Sequence, residues 1–479
     1  MAGKIVSGII SAIRRGGSAA GNLYTLITDD LNVYCIKSEA VLEMMDTVKT
    51  TTAALKSGTL AFASCEVVGK ASEREYRKTL DSLFSRVRGK MADMEEMTGV
   101  PKGLAKAVGS IRKELRGAAD ELVRRYVSGA PIVVRFHNDC DGSSGALGIY
   151  LAIENLLSAC GLPEMNLFWR MNKSIAYTEL AYNEDSFLFG SISSAEKPVI
   201  LILDFGTSAE SEAQIISAYG KFDIMVLDHH PVYEGFPKDK IPRCINTWLF
   251  GGDSDFTAGF LGCVFAEHIS HVDKINDIMM SSLIGDFSKH RDRSKVYADR
   301  LAIVLDYLTS LDGTPGAPVQ KVVPKSIAQF ISDKKKFDET YSHAVALLND
   351  SLDRGERFAK RYRSAASDIY LVDFSDAASP DSKYPLPGRY SSRLHERFEG
   401  ASEKGAITLV HYGNFISVRM SRSLLGTVSL IGVMENLKQE SDDVYSFGGH
   451  ECAFGIKTDK SHIDKVAKLL LKRLGANPE

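Results

Sequence analysis

The chain has 479 residues, of which 44% are hydrophobic and 25% charged, with a formal net charge of −3. This is the composition of a folded chain of about two to four domains, and it excludes collagen-like or disordered classes. No overall basicity marks a nucleic-acid partner, and no apolar run approaches the ~20 residues of a membrane-spanning helix. The seven cysteines, Cys35, Cys65, Cys140, Cys160, Cys244, Cys263 and Cys452, include no Cys-x-x-Cys pair. A zinc cluster or disulfide framework is therefore not expected, and a reducing cytoplasmic setting fits.

The first segment, KIVSGIISAIRR, repeats Ile5, Ile9 and Ile13 every four residues and reads as a short amphipathic helix against the body. It lacks the long apolar region and cleavage site of a signal peptide. NLYTLITDD and NVYCIKSEA alternate on either side of an acidic turn at Asp29-Asp30, and the Gly58-led GTLAFASCEVVGK follows a polar gap. That rhythm of strands and turns gives residues 1–75 the look of a small β-barrel resembling the OB-fold. Residues 76–128 read as a helical linker with a break at Gly99-Val100-Pro101.

From residue 131 the pattern alternates. PIVVRF, PVILILDF and FDIMVLDHH are strands, and SSGALGIYLAIENLLSA, SAESEAQIISAYG, FTAGFLGCVFAEHI and INDIMMSSLIGDF are helices. Continuous Val/Ile/Leu strands separated by helices predict an α/β domain with a parallel sheet covered on both faces, over 129–310. A charged helical connector follows over 311–366, its basic face either solvated or a groove wall. Residues 367–479 read as a second, smaller α/β domain. DIYLVDFS and GAITLVHY are strands, Gly413-Asn414 turns into FISVRMS, and CAFGIK and the last helix follow.

Acids and imidazoles recur where the buried strands end. RFHNDCDG places His137, Asp139 and Asp141 at alternate positions, which share one side of an extended segment. VILILD ends on Asp204, IMVLD on Asp228 followed by His229-His230, and SLIGD delivers Asp286. In open α/β sheets the ligand crevice lies at the carboxyl ends of the strands. Carboxylates converging there repel unless cations sit among them. Oxygen and imidazole ligands without thiolate suit Mn²⁺ or Mg²⁺, and their number suffices for two ions. Alternation turns Cys140 away from this side, as a small buried filler.

HNDCDG, LDFG, LDHHP and SLIGD also occur in the order and approximate spacing of the four motifs of the DHH phosphoesterase superfamily, the third being Asp228-His229-His230. SFGGHECAFG (446–455) resembles the GGGHxxAAG motif of the DHH-associated C-terminal domain, and RMSRS (419–423) resembles that domain's substrate-binding strand. Together these cover residues 131–479. With an OB-like module in front, the chain most resembles the RecJ-type single-strand exonucleases, particularly their archaeal relatives. It departs from the motifs at Asn138 and Cys140, at Ser282 where glycine is common, and at Phe447, Cys452 and Phe454.

The resemblance implies that His137, Asp139 and Asp204 hold one ion. Asp141, Asp204, His229 and Asp286 would hold the second. His230 would contact the scissile phosphate, and Asp228 would orient the histidine pair. Gly448, Gly449 and His450 would bind a phosphate or terminal nucleotide, with Arg422, Ser421 and Ser423 gripping phosphate. The implied activity is hydrolysis of single-stranded DNA or RNA from an end, in repair or replication, with a helicase or replication protein as a further partner and no membrane. Tyr24, Tyr34 and Phe62 are candidate stacking residues on the first module. His290 and Arg291 in SKHRDR either line the groove or end a solvated helix. Two alternatives remain. One is a phosphodiesterase for very short oligonucleotides, phosphoadenosine phosphate or cyclic dinucleotides. The other is a non-catalytic, Cdc45-like replication scaffold, which the retained ligand set disfavours.

Overall fold

The structure is a computed structural model and describes residues 4–15, 22–38, 41–54, 60–92, 100–233, 235–241, 243–378, 382–450 and 452–478. The chain divides into two compact units, Met1–Asp299 with Val323–Ala328, and Arg300–Val322 with Gln329–Glu479. No helix among the described residues is long and apolar enough to cross a membrane.

The first unit opens with β1 (Lys4–Arg14), β2 (Asn22–Thr28), β3 (Val33–Ser38), β4 (Asp46–Ala54) and β5 (Leu60–Lys70). The segment expected to be an amphipathic helix is thus a strand. A spacing of four is even, so a regular strand would keep Ile5, Ile9 and Ile13 on one face just as a helix would, and periodicity alone could not decide. Pairing decides: β1 runs antiparallel to both β2 and β4, with a register shift between Ile10 and Ala12. Gly8 permits the closest approach, since a Cβ there would lie 2.3 Å from the carbonyl oxygen of Ile27. β4, DTVKTTTAA, falls in the stretch read as a polar gap. Its threonines are polar but β-branched, which suits a pleated surface.

The strand order is β2-β3-β5-β4-β1-β8, with β1 also pairing with β2, where β8 is Ile192–Ser194. The core beneath contains Ile10, Leu26, Ile36 and Val48. Tyr24 belongs to it, fully buried, its hydroxyl accepting from Asn22 Nδ2 and the Leu42 backbone N–H. It is therefore a core residue and not a stacking platform. Tyr34 packs against the same cluster, and the side chain of Phe62 lies outside the described residues.

α1 (Glu73–Arg88) starts from a capping box, Ser72 with Glu75, and ends on Arg86 and Arg88, which complement the helix dipole. α2 (Lys102–Val127) starts directly after Pro101, and Gly99 of the expected break lies outside the described residues.

The chemistry-bearing sheet follows: β6 (Ile132–His137), β7 (Leu167–Asn172), β9 (Val199–Leu203), β10 (Asp223–Asp228) and β11 (Arg243–Asn246). Every pairing is parallel and the order is β11-β10-β9-β6-β7. All five residues of β9, Val-Ile-Leu-Ile-Leu, are 0% exposed, as expected of a strand covered on both faces. The chain leaves β6 toward β7 on one side and, from β9, builds toward β11 on the other. The switch point therefore lies between the carboxyl ends of β6 and β9, where an open α/β sheet places its ligand crevice. The helices of this region are α3 (Cys140–Cys160), α4 (Glu179–Gly190), α5 (Glu212–Ala218), α6 (Ala258–Ile269) and α7 (Ile275–Gly285). The division between the units falls within α8 (Val296–Ser310) and α9 (Pro324–Ser332).

The second unit contains α10 (Lys334–Phe358), β12 (Lys360–Arg363), β13 (Asp368–Asp373), α11 (Phe374–Ala377), α12 (Pro387–Ala401), β14 (Ala406–Tyr412), β15 (Phe415–Met420), α13 (Leu430–Glu440), β16 (Ser446–His450), β17 (Ala453–Lys457), α14 (Ile463–Arg473) and β18 (Asn477–Pro478). The order in its mixed sheet is β16-β17-β15-β14-β13-β12-β18. The helical connector expected to reach residue 366 stops earlier, because Lys360–Arg363 pairs antiparallel with β13. Gly413 adopts φ +57° in the β14–β15 hairpin, as the Gly-Asn turn predicts. α12 was invisible in the sequence. Only Tyr390, Leu394 and Phe398 carry its large buried apolar surface, one turn apart, with Phe398 stacked on Tyr370 at 3.9 Å between centroids.

Candidate metal centre

His137 is the last residue of β6, and the chain then turns at once into α3. The three motif residues therefore do not alternate along an extended strand, as expected. Asp139 is the N-cap of α3, its Oδ1 accepting from Gly142 N–H at 3.0 Å, and Asp141 stands in the helix's first turn. The strand-to-helix turn brings them together instead. Gly142 is needed for it: a Cβ would lie 2.5 Å from the His137 carbonyl oxygen. Behind His137, Arg135 shares its strand face and grips Asp185 with Nε and Nη2 at 2.7 and 2.9 Å. That pair ties β6 to α4.

Asp141 is 1% exposed and held by three donors. The backbone N–H groups of Ala258 and Gly259, at the start of α6, donate to Oδ2 and Oδ1 at 2.9 and 3.0 Å, and Ser282 Oγ donates to Oδ1. A carboxylate at a helix N-terminus is stabilised by free N–H groups and the dipole. Sequence reasoning missed Ala258, Gly259 and the role of Ser282.

Asp204 follows β9 with φ +68°, a left-handed conformation that Asp tolerates better than most residues. This turn points its two oxygens at two neighbours. Oδ2 lies 3.5 Å from His137 Nδ1, and Oδ1 lies 3.3 Å from His229 Nε2. His229 Nε2 is also 3.7 Å from Asp141 Oδ2 and 3.7 Å from Asp286 Oδ2. Its other nitrogen, Nδ1, donates to the Ser254 carbonyl at 2.7 Å. His230 is held by Asp228, Nδ1 to Oδ1 at 2.8 Å, with 39% of its side chain exposed. Asp228 is fully buried and accepts from the His229 and His230 backbone N–H groups and from Thr207 Oγ1 at 2.6 Å.

Five aspartates and three histidines meet here in overlapping groups: His137, Asp139 and Asp204; Asp141, His229 and Asp286; and Asp204, Asp228, His229 and His230. Within each group the candidate ligand atoms lie within 4.8 Å of one another. The electrostatics show a deficit of positive charge. Burial disfavours a charged His137, yet the carboxylates of Asp139 and Asp204 outweigh it and raise its pKa well above the ordinary value. His229 rises in the same way, against burial, through Asp204, Asp286 and Asp141. Burial, aided by the Asp204 charge, pushes Asp141 well above the carboxylate range. Asp228 differs: although burial opposes its charge, His230, His229 and Thr207 hold it below that range. Asp204 Oδ2 is buried without a hydrogen-bond partner. An orphaned carboxylate oxygen in a site that draws protons onto its ligands fits a divalent cation, and an oxygen and imidazole donor set fits Mn²⁺ or Mg²⁺.

The remaining candidates belong to the second unit. Gly448, Gly449 and His450 lie in strand β16, paired with Gly455, Phe454 and Ala453 of β17, and not in a tight turn. Of the stretch Arg419–Ser423, only Arg419 and Met420 are on strand β15. Ser421 is buried and accepts from the Ala406 backbone N–H, whereas Arg422 and Ser423 are exposed in a short 3-10 turn. Arg419 pairs in register with Ala453, which pairs with His450, so Arg419 and His450 flank one position of β17. Its Nε donates to Ser392 Oγ at 2.9 Å and Nη1 to Ser417 Oγ at 3.1 Å. Alternation along β15 was the available signal for Arg419. In the first unit, His290 packs edge-on to Phe256, and the Arg291 guanidinium donates to the Phe287 and Ser288 carbonyls.

No family model matches the chain. An uncharacterized protein of Methanocaldococcus jannaschii is 25% identical over 417 residues, which cover 74% of this chain and 53% of that protein. The chain thus spans about half the length of this curated relative. A crystal structure of exonuclease RecJ bound to manganese matches 74% of this chain and 93% of its own at 16% identity, with a TM-score of 0.42. A solved structure described as the DHH domain of a member of a family of ribosomal proteins matches 83% of this chain and 96% of its own at 19% identity, with a TM-score of 0.68. The parallel sheet, its switch point and the cluster at its carboxyl ends thus stand in a chain that has the fold of a DHH-domain protein.

Proposed function

We propose that the protein is a metal-dependent phosphodiesterase that removes nucleotides from an end of single-stranded nucleic acid, DNA in the first instance. One observation carries this reading: the two oxygens of Asp204 face His137 and His229 separately, so one carboxylate is shared between two ligand groups. His137, Asp139 and Asp204 would hold one Mn²⁺ or Mg²⁺, and Asp141, Asp204, His229 and Asp286 the other. Bound there, such cations supply charge against phosphate oxygens and water activation near neutral pH.

The chain's own residues do the rest. Asp228 holds His230 through Nδ1, and its charge, against burial, favours the imidazolium, whose Nε2–H would donate to an oxygen of the scissile phosphate. Ser254 fixes the tautomer of His229. In the second unit, Gly448, Gly449 and His450 would take the terminal nucleotide. Arg419 joins Arg422, Ser421 and Ser423 as a candidate for its phosphate. The N-terminal sheet, read as OB-like, would hold the strand beyond the site, and a replication or repair helicase is the proposed macromolecular partner.

The test is incubation with Mn²⁺ and a single-stranded DNA of about 30 nucleotides, labelled at one end and then at the other. Immediate release of labelled mononucleotide from one substrate, and a ladder from the other, is expected, and it reads the polarity directly. Cleavage of dinucleotides alone would replace this reading with a short-substrate phosphodiesterase. Absence of any cleavage, with RNA included, would leave a binding scaffold.

A further inference from the structure

Trp248 is one of two tryptophans in the chain, and 43% of it is exposed. A single exposed apolar side chain is ordinary by itself. Trp248 is distinguished by what holds it. Its indole N–H donates to the His229 carbonyl at 3.1 Å and to Ser254 Oγ at 3.1 Å, and Ser254 Oγ itself donates to the His229 carbonyl at 3.0 Å. Ser254 is also the residue whose carbonyl orients the His229 imidazole.

The backbone of Trp248 is fixed to the same loop. It lies in a 3-10 turn, Thr247–Phe250, capped by Asn246 Oδ1, which accepts from the Trp248 N–H at 3.0 Å. Asn246 Nδ2 donates to the His230 carbonyl at 2.9 Å and to Thr207 Oγ1 at 3.2 Å. Thr207 in turn bonds Asp228. Both ends of the residue are thus tied to the two histidines of the candidate centre. The indole directs its single donor inward, leaving aromatic surface toward solvent.

We propose that the exposed face of Trp248 is the stacking platform for the base of the nucleotide whose phosphate enters the aspartate–histidine cluster. The proposal rests on the phosphodiesterase reading and adds to it the residue that would hold the base next to the reacting phosphate. A platform held by the histidine loop places base and phosphate in one rigid frame. Stacking is tolerant of base identity because every base has a π-face, so the platform selects for a nucleotide without selecting a sequence.

The experiment uses the full chain with Trp169→Phe, so that Trp248 is the single tryptophan and is excited selectively. Thymidine monophosphate is expected to quench its emission saturably, and deoxyribose 5-phosphate is not. In parallel, Trp248→Ala and Trp248→Phe are assayed with Mn²⁺ on single strands ending in thymidine or in abasic residues. Trp248→Ala should raise KM about tenfold on the thymidine ends and by a clearly smaller factor on the abasic ends. Trp248→Phe, which keeps a ring and loses the N–H, should stay within about threefold of the parent. Equal losses on both kinds of end would mean that Trp248 acts only by supporting His229, and would overturn the proposal. So would equal quenching by the two monophosphates. If the parent cleaves neither strand, the phosphodiesterase reading fails, and selective quenching by thymidine monophosphate still upholds base stacking.

Discussion

His229 donates from Nδ1 to the Ser254 carbonyl at 2.7 Å, and this bond turns its Nε2 toward the carboxylates of Asp141, Asp204 and Asp286. A main-chain acceptor cannot take a proton, so it selects the Nδ1–H tautomer and leaves an Nε2 lone pair for a cation. His230, one residue on, is bound instead through its Nδ1 to Asp228. Neighbouring identical side chains are thus held by different hydrogen-bond partners.

Asp204 is the group both sides share, so its charge is the first to remove. Asp204→Asn keeps the shape and tolerates the left-handed backbone at φ +68°. It should abolish cleavage and weaken Mn²⁺ binding by about a hundredfold or more, with an unchanged circular dichroism spectrum. Asp204→Ala should show the same losses with about 1 kcal/mol less stability, the cost of alanine in that conformation. Calorimetric titration with Mn²⁺ reads the affinity, and undiminished turnover would sink the assignment.

Asp228 directs one oxygen to His230 and the other to Thr207, so its effect should differ in kind. Asp228→Asn removes the charge beside His230 while keeping most of the volume. Cleavage should fall about 10–100-fold, with a much smaller change in Mn²⁺ affinity than Asp204→Asn produces. A loss of Mn²⁺ binding as large as that of Asp204→Asn would make Asp228 a ligand in its own right.

The residues of the candidate centre were legible in the sequence because packing alone seldom puts charged groups at the tips of buried strands. VILIL ending on Asp204 and IMVL ending on Asp228 are such cases. The supports were not legible. Asp141 is held by the backbone N–H groups of Ala258 and Gly259, and His229 by the carbonyl of Ser254. Backbone groups carry no residue signature, and their partners lie over a hundred residues away for Asp141. The same limit produced the errors in the fold. Ile5, Ile9 and Ile13 fit a helix and a strand alike until β2 and β4 are there to pair with β1. Tyr24 has the alternation of a barrel strand, and only the packed core shows which face is inside.

Gly259 tests the support of Asp141. A Cβ there would lie 2.4 Å from the Asp141 carbonyl oxygen and 2.8 Å from its Oδ1. Backbone cannot move aside cheaply, so Gly259→Ala should destabilise the protein by about 1–3 kcal/mol and lower Mn²⁺ affinity with it. Gly109, exposed on α2, has no atom within 4 Å of its would-be Cβ. Gly109→Ala should raise stability by about 0.5–1 kcal/mol. Denaturant unfolding of the two variants should move in opposite directions, and parallel shifts would remove the steric argument.

His395 gives the second unit a dependence on pH of its own. It is buried on α12, its Nδ1 2.9 Å from Thr408 Oγ1 on β14. Burial, and then the positive charge of Arg419, push its pKa down from 6.5 to about 4. A histidine with a depressed folded pKa stays neutral in the native state while its unfolded counterpart takes up a proton. Its contribution to stability is therefore complete above about pH 6.5 and is lost as the pH falls through about 4. Across that window the loss is about 3 kcal/mol. Hydrogen exchange of peptides spanning β14 should accordingly quicken between about pH 7 and pH 5, after correction for intrinsic exchange rates. His395→Gln keeps a polar group opposite Thr408 and does not titrate, so it should flatten this response. An equally steep response in His395→Gln would place the titrating group elsewhere in the unit.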